Sequence, residues 1–204
     1  MSNSSIIEFG AANPRRNLPA HLARKRGESN YVAAFERDYV AERTGTGVGG
    51  RYFCIAGYGI ADFVWLDAGK YSDVYQDNEI GFHPSITAFE LKLRDWKRAL
   101  HQAYRYSYFA DLSVVVLPPE MARIAIKNIN LFNKLNIGLW TFDKHVSKFQ
   151  VIHQPDNSKP RNPAAKVKAV GLFRSKVKFR NLLEQSQSLV QSKLDYASGF
   201  RAFC

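Results

Sequence analysis

The spacing of apolar and polar residues predicts a chain that alternates between strands and helices. Short apolar runs bounded by glycine, proline or polar residues are typical of β-strands. Six segments have that pattern, at residues 51–56, 60–66, 85–93, 112–117, 137–142 and 148–153. The run Leu-Ser-Val-Val-Val-Leu at 112–117 is apolar almost throughout, which indicates a strand covered on both faces. The last two segments are expected to form a hairpin.

Three other segments have the apolar period of helices. The first covers residues 29–43, capped by its first or second residue, and the second covers residues 96–109, with Asp95 as N-cap. The third opens at two prolines and is predicted as one helix over residues 118–135. The buried stripe of the second helix is predicted to contain Trp96, Ala99, Leu100, Ala103 and Ser107.

The resulting order is helix, three strands, helix, strand, helix and two strands. It predicts an α/β fold in which helices flank a mixed sheet, with a parallel crossover between the third and fourth strands. We expect a core at residues 29–153, preceded by a basic flexible arm at 1–28. Residues 154–204 are expected to be an extension, formed by a proline-rich linker and a basic segment that ends in an amphipathic helix at 179–194.

The net charge of +11 is concentrated at the two ends of the chain. Residues 1–30 contain five basic and two acidic residues, residues 159–204 contain ten and two, and residues 31–158 contain fourteen of each. Basic extensions commonly contact phosphate backbones, because each neutralised phosphate releases counterions. A solvated tail is the alternative. The candidate nucleic-acid contacts in the C-terminal segment are Lys166, Lys168, Lys176, Lys178 and Arg180.

Composition excludes several classes of protein. The two cysteines, Cys54 and Cys204, are too few for a disulfide framework or a four-cysteine metal site. The chain has no run of 18 apolar residues, and its N-terminus lacks the apolar stretch of a signal peptide. We therefore expect a cytoplasmic protein with no membrane association. The amphipathic stretch at 179–194 is a candidate docking element for a second copy of the chain or another protein.

Residues 45–50, Gly-Thr-Gly-Val-Gly-Gly, match the dinucleotide fingerprint G-x-G-x-x-G. That fingerprint needs a strand before it and a helix after it, so that the phosphate meets a helix N-terminus. Here the predicted helix comes first and a strand follows, and a Walker A lysine is missing. We therefore expect a flexible connection at this position.

Glu90 and Lys92 lie two positions apart in the third predicted strand. Because side chains alternate along a strand, both point to one face and the neighbouring apolar residues point to the other. A buried charge is costly unless it is paired or bound, so the two residues form either a salt bridge or part of a working site. The similar pair Asp95 and Lys97 falls at a helix start, where residues two apart do not share a face.

A further carboxylate, Asp62, lies in the middle of the second predicted strand among apolar residues. Asp67 is the rival, but an odd separation places it on the other strand face, at the end of the strand. Asp62 and Glu90 on adjacent strands, with Lys92 beside them, would form an oxygen-rich site suited to a hard cation such as Mg²⁺. The lysine would orient a water or offset negative charge developing on a phosphate.

These residues resemble the motifs of the PD-(D/E)XK nucleases, and most closely those of the RecB-like branch. Gly59-Ile60-Ala61-Asp62 is similar to G-x-x-D, Glu90-Leu91-Lys92 to (D/E)-x-K, and Gln-Ala-Tyr-Arg-Tyr at 102–106 to Q-x-x-x-Y. The resemblance covers roughly residues 31–153 and includes the order of elements. Ala61 replaces the proline of the family name, and the iron–sulphur cysteines of some RecB-like members are absent.

The resemblance implies a restriction-endonuclease-like fold and a Mg²⁺-dependent nuclease, with Mn²⁺ as a substitute, that hydrolyses phosphodiester bonds in nucleic acid, with DNA as the expected substrate. The implied site residues are Asp62, Glu90 and the Leu91 carbonyl for the metal, Lys92 for catalysis, and Gln102 and Tyr106 for positioning. A non-catalytic nucleic-acid-binding module or complex subunit that retains the fold is the alternative.

Glu36 has two interpretations. It lies on the apolar stripe of the first helix, and a glutamate on that helix reaches the metal in several branches of the superfamily that the chain resembles. A buried acid paired with an arginine is an equal alternative.

The second helix adds candidate contacts for nucleic acid. Arg98 and Arg105 share much of the helix face of the Q-x-x-x-Y motif, so they are candidate phosphate contacts. Tyr104, Tyr106 and Tyr108 could stack on bases, although packing is the more common role of such a cluster.

Overall fold

The computed structural model of the protein describes residues 5–9, 26–43, 47–67, 84–156 and 158–176. Its strands are β1 (Ser5–Glu8), β2 (Gly47–Ile55), β3 (Gly59–Asp67), β4 (Ser85–Leu91), β5 (Leu112–Leu117), β6 (Gly138–Asp143) and β7 (Lys148–His153). Its helices are α1 (Arg26–Ala41), α2 (Trp96–Tyr106), α3 (Pro119–Ile126), α4 (Ile129–Leu135) and α5 (Pro163–Arg174).

The strands form one mixed sheet in chain order from β1 to β7. The pairs β1–β2, β4–β5 and β5–β6 are parallel, and the pairs β2–β3, β3–β4 and β6–β7 are antiparallel. Helix α2 connects the parallel strands β4 and β5, and β6 and β7 form a hairpin. The predicted α/β class, the crossover and the hairpin are therefore confirmed.

Helices cover both faces of the sheet. Helix α1 packs on one face, where its buried side chains form a cluster with Phe89 and Leu91 of β4. On the opposite face, α2 and α5 pack over Ile86 and Ala88 of the same strand. Since strand side chains alternate, Glu90 belongs to the face that α2 and α5 cover.

Helix α2 brings the third predicted motif to the sheet. Asp95 is its N-cap and accepts a hydrogen bond from the Arg98 backbone N–H at 3.0 Å. The helix ends at Tyr106, which takes the place expected for Ser107 in the buried stripe, while Ser107 is the C-cap. The correction follows from the helical period, because Tyr106 lies one turn after Ala103 on the same face.

The N-terminal segment contributes to the sheet, which the expected arm at 1–28 did not include. Ser5–Glu8 pairs in parallel with β2, from Ser5↔Val48 to Glu8↔Arg51. Helix α1 also begins at Arg26, before the predicted start at residue 29. A four-residue strand carries little periodicity, and its partner lies about 40 residues away along the chain, so local pattern gave no signal.

The glycines at 47–50 lie in strand β2, where a flexible connection had been expected. A Cβ added at Gly49 would lie 2.7 Å from the Phe63 ring, and one at Gly50 would lie 2.8 Å from the Phe173 ring. These glycines make room for aromatic side chains on both faces of the strand. This packing accounts for the glycines without a bound phosphate.

The helix predicted over 118–135 is two helices. Lys127 caps α3 and Asn128 caps α4, so the helix is interrupted between them. Asparagine has a low helix propensity and favours caps, which explains the break. Helix α4 ends as predicted at Asn136, which adopts the left-handed conformation with φ 56°.

Residues 163–174 form a helix that belongs to the core, although 154–204 was expected to be an extension. Asn162 caps α5 by accepting a hydrogen bond from the Ala165 N–H. The Phe173 ring stacks on Phe53 of β2 with ring centroids 5.1 Å apart. The stretch predicted as an amphipathic helix at 179–194 lies outside the described residues, as do Lys178 and Arg180.

Candidate metal-binding and catalytic site

Asp62 lies where β3 and β4 stop pairing through their backbones. The ladder between these strands runs from Asp67↔Ser85 to Phe63↔Phe89. One residue further, Asp62 Oδ2 accepts a hydrogen bond from the Leu91 N–H at 2.9 Å. Asp62 is only 3% exposed. A side-chain carboxylate therefore continues the connection between the two strands and is held beside Glu90.

Strand β2 is irregular beside Asp62, where it pairs with β3. The β2–β3 register pairs Arg51 with Phe63 and Phe53 with Ala61, and Tyr52 between them has a positive φ of 54°. Non-glycine residues rarely adopt that conformation, and it is often found at functional sites. The face alternation breaks here, because Ala61 and Val64 belong to one apolar cluster and Phe63 to the other.

Glu90 is fully buried on the face of the sheet that α2 covers. Its strand continues beside β5, with Glu90↔Val115 and Leu91↔Val116, after the pairing with β3 ends. The Lys92 N–H donates to the Val116 carbonyl at 3.2 Å, which fixes the backbone just beyond the strand. The carboxylate therefore projects from a rigid, central part of the sheet.

The Lys92 ammonium lies among three oxygen groups. Its Nζ is 2.5 Å from Glu90 Oε1, 3.4 Å from the Leu91 carbonyl oxygen and 3.9 Å from Asp62 Oδ2. The Lys92 side chain is 13% exposed, whereas those of Glu90 and Asp62 are 1% and 4% exposed. Lys92 is thus the most accessible of the three side chains.

Tyr106 reaches Glu90 from helix α2. Its hydroxyl oxygen is 2.6 Å from Glu90 Oε2 and 2.7 Å from the Ile60 carbonyl oxygen. A hydroxyl has only one hydrogen to donate. When Glu90 is ionised, Tyr106 can donate to only one of the two acceptors, whereas a protonated Glu90 can donate to Tyr106 while Tyr106 donates to Ile60. The protonation state of Glu90 therefore determines the pattern of hydrogen bonds.

Burial raises the pKa of Glu90 to about 7, and the nearby negative charge of Asp62 adds to this increase. The positive charge of Lys92 and its hydrogen bond act in the opposite direction, as does the hydrogen bond from Tyr106. Burial also raises the pKa of Tyr106 well above its usual value, so this side chain stays neutral. Glu90 therefore titrates near neutral pH.

Gln102 lies one helical turn before Tyr106, at the edge of the buried stripe of α2. Its Oε1 atom is buried and has no hydrogen-bond partner among the residues that the structure describes. A buried amide oxygen without a partner is costly, so it commonly indicates a role in binding water, an ion or a ligand.

Glu36 pairs with Arg51, which corresponds to the structural alternative considered from the sequence. Its Oε2 accepts hydrogen bonds from Nε of Arg51 at 2.7 Å and from Nη2 of the same side chain. Glu36 is fully buried on α1, which covers the face of the sheet opposite to Glu90. This pairing agrees with the structural alternative, in which a buried acid pairs with an arginine, and the role of Glu36 in the metal site stays a prediction. No local pattern indicates Arg51 as the partner, because the pairing depends on how α1 packs against β2.

The predicted phosphate contacts have different environments. Arg98 and Lys168 are exposed. Arg105 donates to the Gly57 carbonyl at 3.1 Å in the β2–β3 turn. The Lys166 ammonium pairs with Asp111 at 2.7 Å, so its role in the described structure is internal. Lys176 lies over the Phe9 ring at 5.3 Å.

The oxygen groups of the cluster are of the chemical type that binds a hard divalent cation. Mg²⁺ is typically held by one or two carboxylates, with waters and substrate phosphates as further ligands. Asp62, Glu90 and the Leu91 carbonyl supply such a set. No group of three or more acidic, histidine or cysteine side chains within the described ranges could hold a metal. Lys92 occupies the space among the three oxygen groups, so a cation that binds there has to displace its ammonium.

A separate cleft of about 320 Å³ opens at the other end of β4, lined by Ser85, Thr87, Asp111 and Lys159. Asp111 is already engaged there, because it accepts from the Ile86 N–H at 2.7 Å and pairs with Lys166. The charged cluster at Glu90 lies at the C-terminal end of the strand. This cleft is therefore distinct from the candidate site.

Comparison with known proteins leaves the activity open. No protein-family model and no curated protein matches the chain. A solved structure of a protein of unknown function from Silicibacter pomeroyi is similar, with a TM-score of 0.44 and 15% identity over 72% of this chain and 82% of that one. None of the described helices is long and apolar enough to cross a membrane.

Proposed function

We propose that the protein is a metal-dependent nuclease that hydrolyses phosphodiester bonds, with DNA as the first substrate to test. The observation that carries the proposal is the convergence of Asp62, Glu90 and Lys92 within hydrogen-bond or ion-pair distance where β3 and β4 separate. Buried charges are expensive in a fold core, and such clusters are concentrated at functional sites. The resemblance of the three sequence motifs to the PD-(D/E)XK nucleases supports the same function.

Asp62, Glu90 and the Leu91 carbonyl would hold the metal. A bound divalent cation supplies Lewis acidity toward a phosphate oxygen and lowers the pKa of a bound water. Asp62 is oriented for this role by the Leu91 N–H, and Glu90 by the Tyr106 hydroxyl. Both carboxylates are therefore preorganised, which reduces the cost of assembling the site.

Lys92 has a second role once its ammonium leaves Glu90. The side chain is flexible and is the most accessible member of the cluster, so it can turn toward a phosphate in the opening of the site. There it offsets the negative charge that develops during hydrolysis and orients the attacking water. Gln102, with its buried and unpartnered amide oxygen, is placed to accept a hydrogen bond from a water at the same site.

The experiment is a cleavage assay on linear, circular, single-stranded and branched DNA and on RNA, each with Mg²⁺ and with chelator. Asp62→Asn, Glu90→Gln and Lys92→Met should each lose at least about a hundredfold in rate, a typical effect for a lost charge-stabilising or proton-transfer group. Asp67→Asn and Lys97→Met are matched controls from the rival positions and should keep wild-type rates. If folded site variants retain full activity, the assignment of the site is wrong.

A non-catalytic nucleic-acid-binding module is the second candidate. The observation in its favour is that Lys92 already neutralises Glu90 at 2.5 Å, as in a structural ion pair. Calorimetric titration with Mg²⁺ and Mn²⁺ discriminates between the two candidates. Binding of metal that is lost in Asp62→Asn favours the nuclease, whereas no binding of either ion favours the module.

A further inference from the structure

Three tyrosines and two arginines form a continuous surface beside the candidate site. We call it the tyrosine–arginine platform, and it consists of Tyr58, Tyr104, Arg105, Tyr108 and Arg161. Tyr58 stacks on Tyr108 with ring centroids 5.1 Å apart and an interplanar angle of 19°, and Tyr104 meets Tyr108 edge-on at 6.3 Å. The guanidinium of Arg161 lies over the Tyr104 ring, 4.8 Å from its centroid.

Hydrogen bonds fix the platform from three segments of the chain. The N–H groups of Arg161 and Asn162 donate to the carbonyls of Ser107 and Tyr108, both at 3.0 Å. The Asn162 side chain donates to the Tyr58 hydroxyl at 2.8 Å. The β2–β3 turn is therefore tied to the end of α2 and to the segment before α5. This surface is preorganised and does not have to order its side chains on binding.

The exposure of the platform differs from that of a packing cluster. Tyr106, between Arg105 and Ser107 in sequence, is buried in the core, whereas Tyr58, Tyr104 and Tyr108 are only partly buried. Both arginines are exposed. Partly buried aromatic rings next to guanidinium groups can still stack on an incoming planar group.

The charge of the platform is complementary to a polyanion. It contains two arginines and no acidic residue, and Arg105 donates to a neutral carbonyl, Gly57. The adjoining segment 158–176 contains six basic residues and no acidic one. Within that segment, Lys166 pairs with the Asp111 carboxylate.

The platform and the carboxylate site share two elements. Tyr58 precedes Ile60 and Asp62 at the start of β3, and Tyr104 and Tyr108 flank Tyr106, whose hydroxyl lies 2.6 Å from Glu90. The platform is therefore built on the same part of the chain as the carboxylate site.

We propose that the tyrosine–arginine platform binds unpaired bases of single-stranded nucleic acid. Bases stack on aromatic rings without regard to sequence, and arginines contact the accompanying phosphates. In a duplex the base faces are already stacked on one another, so the rings have no partner there. The inference rests on the proposed function for the nature of the polymer, and it specifies that the substrate is single-stranded where it meets the protein.

The test measures binding by fluorescence polarisation in chelator, so that cleavage does not contribute. The probes are a labelled thymidine oligonucleotide and a duplex of the same length. Wild-type protein should bind the single strand more tightly. Tyr104→Leu keeps an apolar side chain without a ring, and it should weaken single-strand binding about tenfold with less than a twofold change for the duplex. Tyr104→Phe keeps the ring and should match wild type.

Equal weakening for both probes, or no weakening in Tyr104→Leu, would overturn the proposal, as would a wild-type preference for the duplex. Thermal unfolding of each variant shows whether it is folded, and Arg105→Gln provides a second variant outside the packed rings. If wild type binds neither probe in chelator but cleaves duplex DNA with Mg²⁺, the platform proposal fails and the nuclease proposal stands. If wild type binds single strands but never cleaves, the nuclease proposal fails and the platform proposal stands.

Discussion

The Lys92 ammonium lies 2.5 Å from Glu90 Oε1, two positions earlier in the chain, although Lys92 is just past the end of β4. The contact forms because both side chains project to the same face and the face is covered by α2. Lys92 therefore stabilises Glu90 in the position that a divalent cation would also stabilise, and a cation bound there would compete with Lys92 for one carboxylate.

This competition predicts that Lys92→Met binds Mg²⁺ more tightly than wild type. Two unit charges about 4 Å apart interact by roughly 4 kcal/mol near a protein surface, so removal of the ammonium should raise the affinity at least about tenfold. Calorimetry at about pH 9 reduces competition from protons, because this pH lies well above the Glu90 pKa of about 7 in wild-type protein. Lys97→Met is the matched control and should not change the affinity. An unchanged or lower affinity in Lys92→Met would contradict the competition.

The raised pKa of Glu90 predicts that metal binding weakens below neutral pH. The pKa is about 7, and a metal ligand has to be deprotonated. The apparent Mg²⁺ affinity should therefore fall about tenfold for each pH unit below this value and level off above it. Titrations between about pH 5 and pH 9 measure this slope. An affinity that is constant across this range would exclude Glu90 as a ligand that titrates near neutrality.

The same pKa predicts a loss of stability as the pH rises in the absence of divalent metal. The folded-state pKa lies above the usual glutamate pKa of 4.5, so the folded protein binds the extra proton between the two values. The stabilisation is complete below about pH 4.5 and is lost as the pH rises through about 7. The difference of about 2.5 between the two pKa values corresponds to roughly 3 kcal/mol of unfolding free energy. Urea unfolding should find this decrease in wild type, and Glu90→Gln should remove it.

Tyr106→Phe should affect both stability and the pH profile. It removes the hydroxyl from the Ile60 carbonyl and from Glu90, which should cost about 1–2 kcal/mol of unfolding free energy. It also removes a donor that favours ionised Glu90, so the midpoint of Mg²⁺ binding should move to higher pH. Tyr104→Phe is the control on the same helix. A variant that loses stability with an unshifted midpoint would show that Tyr106 acts in packing alone.

The pairing of Glu36 with Arg51 predicts a structural role for both residues. Replacing Arg51 with Met leaves a fully buried carboxylate without this partner, and the change should cost on the order of 2–3 kcal/mol, since Arg51 is itself partly exposed. Glu36→Gln should keep the wild-type Mg²⁺ affinity. A tenfold weaker Mg²⁺ affinity in Glu36→Gln would contradict a purely structural role and indicate that Glu36 is a metal ligand.

Strand β2 provides a test of the packing role of its glycines. Gly49→Ala should destabilise the protein by about 1–3 kcal/mol, because the new methyl group would lie 2.7 Å from the Phe63 ring. Gly171→Ala in α5 has nothing within 4 Å and should stabilise the protein by up to about 1 kcal/mol through helix propensity. Chemical unfolding of the two variants should therefore give changes of opposite sign.

The sequence predicted the local parts of the candidate site well. The two-residue period placed Glu90 and Lys92 on one face, whereas the resemblance of residues 102–106 to Q-x-x-x-Y pointed to Tyr106. Asp62 was distinguished from Asp67 by its mid-strand position, and its contact with the Leu91 N–H agrees with that choice.

Other features depend on contacts between distant segments, for which a single sequence has no local signal. The pairing of β1 with β2, the packing of Phe173 on Phe53 and the ion pair between Glu36 and Arg51 all belong to this group. The sequence pointed to Tyr104, Arg105 and Tyr108 of the platform. It did not indicate Arg161, because this residue reaches Tyr104 from more than 50 residues away in sequence.

The most direct test of the central claim is the rate of phosphodiester cleavage by wild-type protein and Glu90→Gln, with Mg²⁺ and with chelator. Single-stranded and duplex DNA serve as substrates, and Asp67→Asn serves as the folded control. We predict cleavage by wild type and Asp67→Asn only when Mg²⁺ is present, and a rate reduced at least about a hundredfold in Glu90→Gln. Cleavage that persists in chelator, or that is equal in Glu90→Gln and wild type, would contradict a metal-dependent site at Asp62, Glu90 and Lys92.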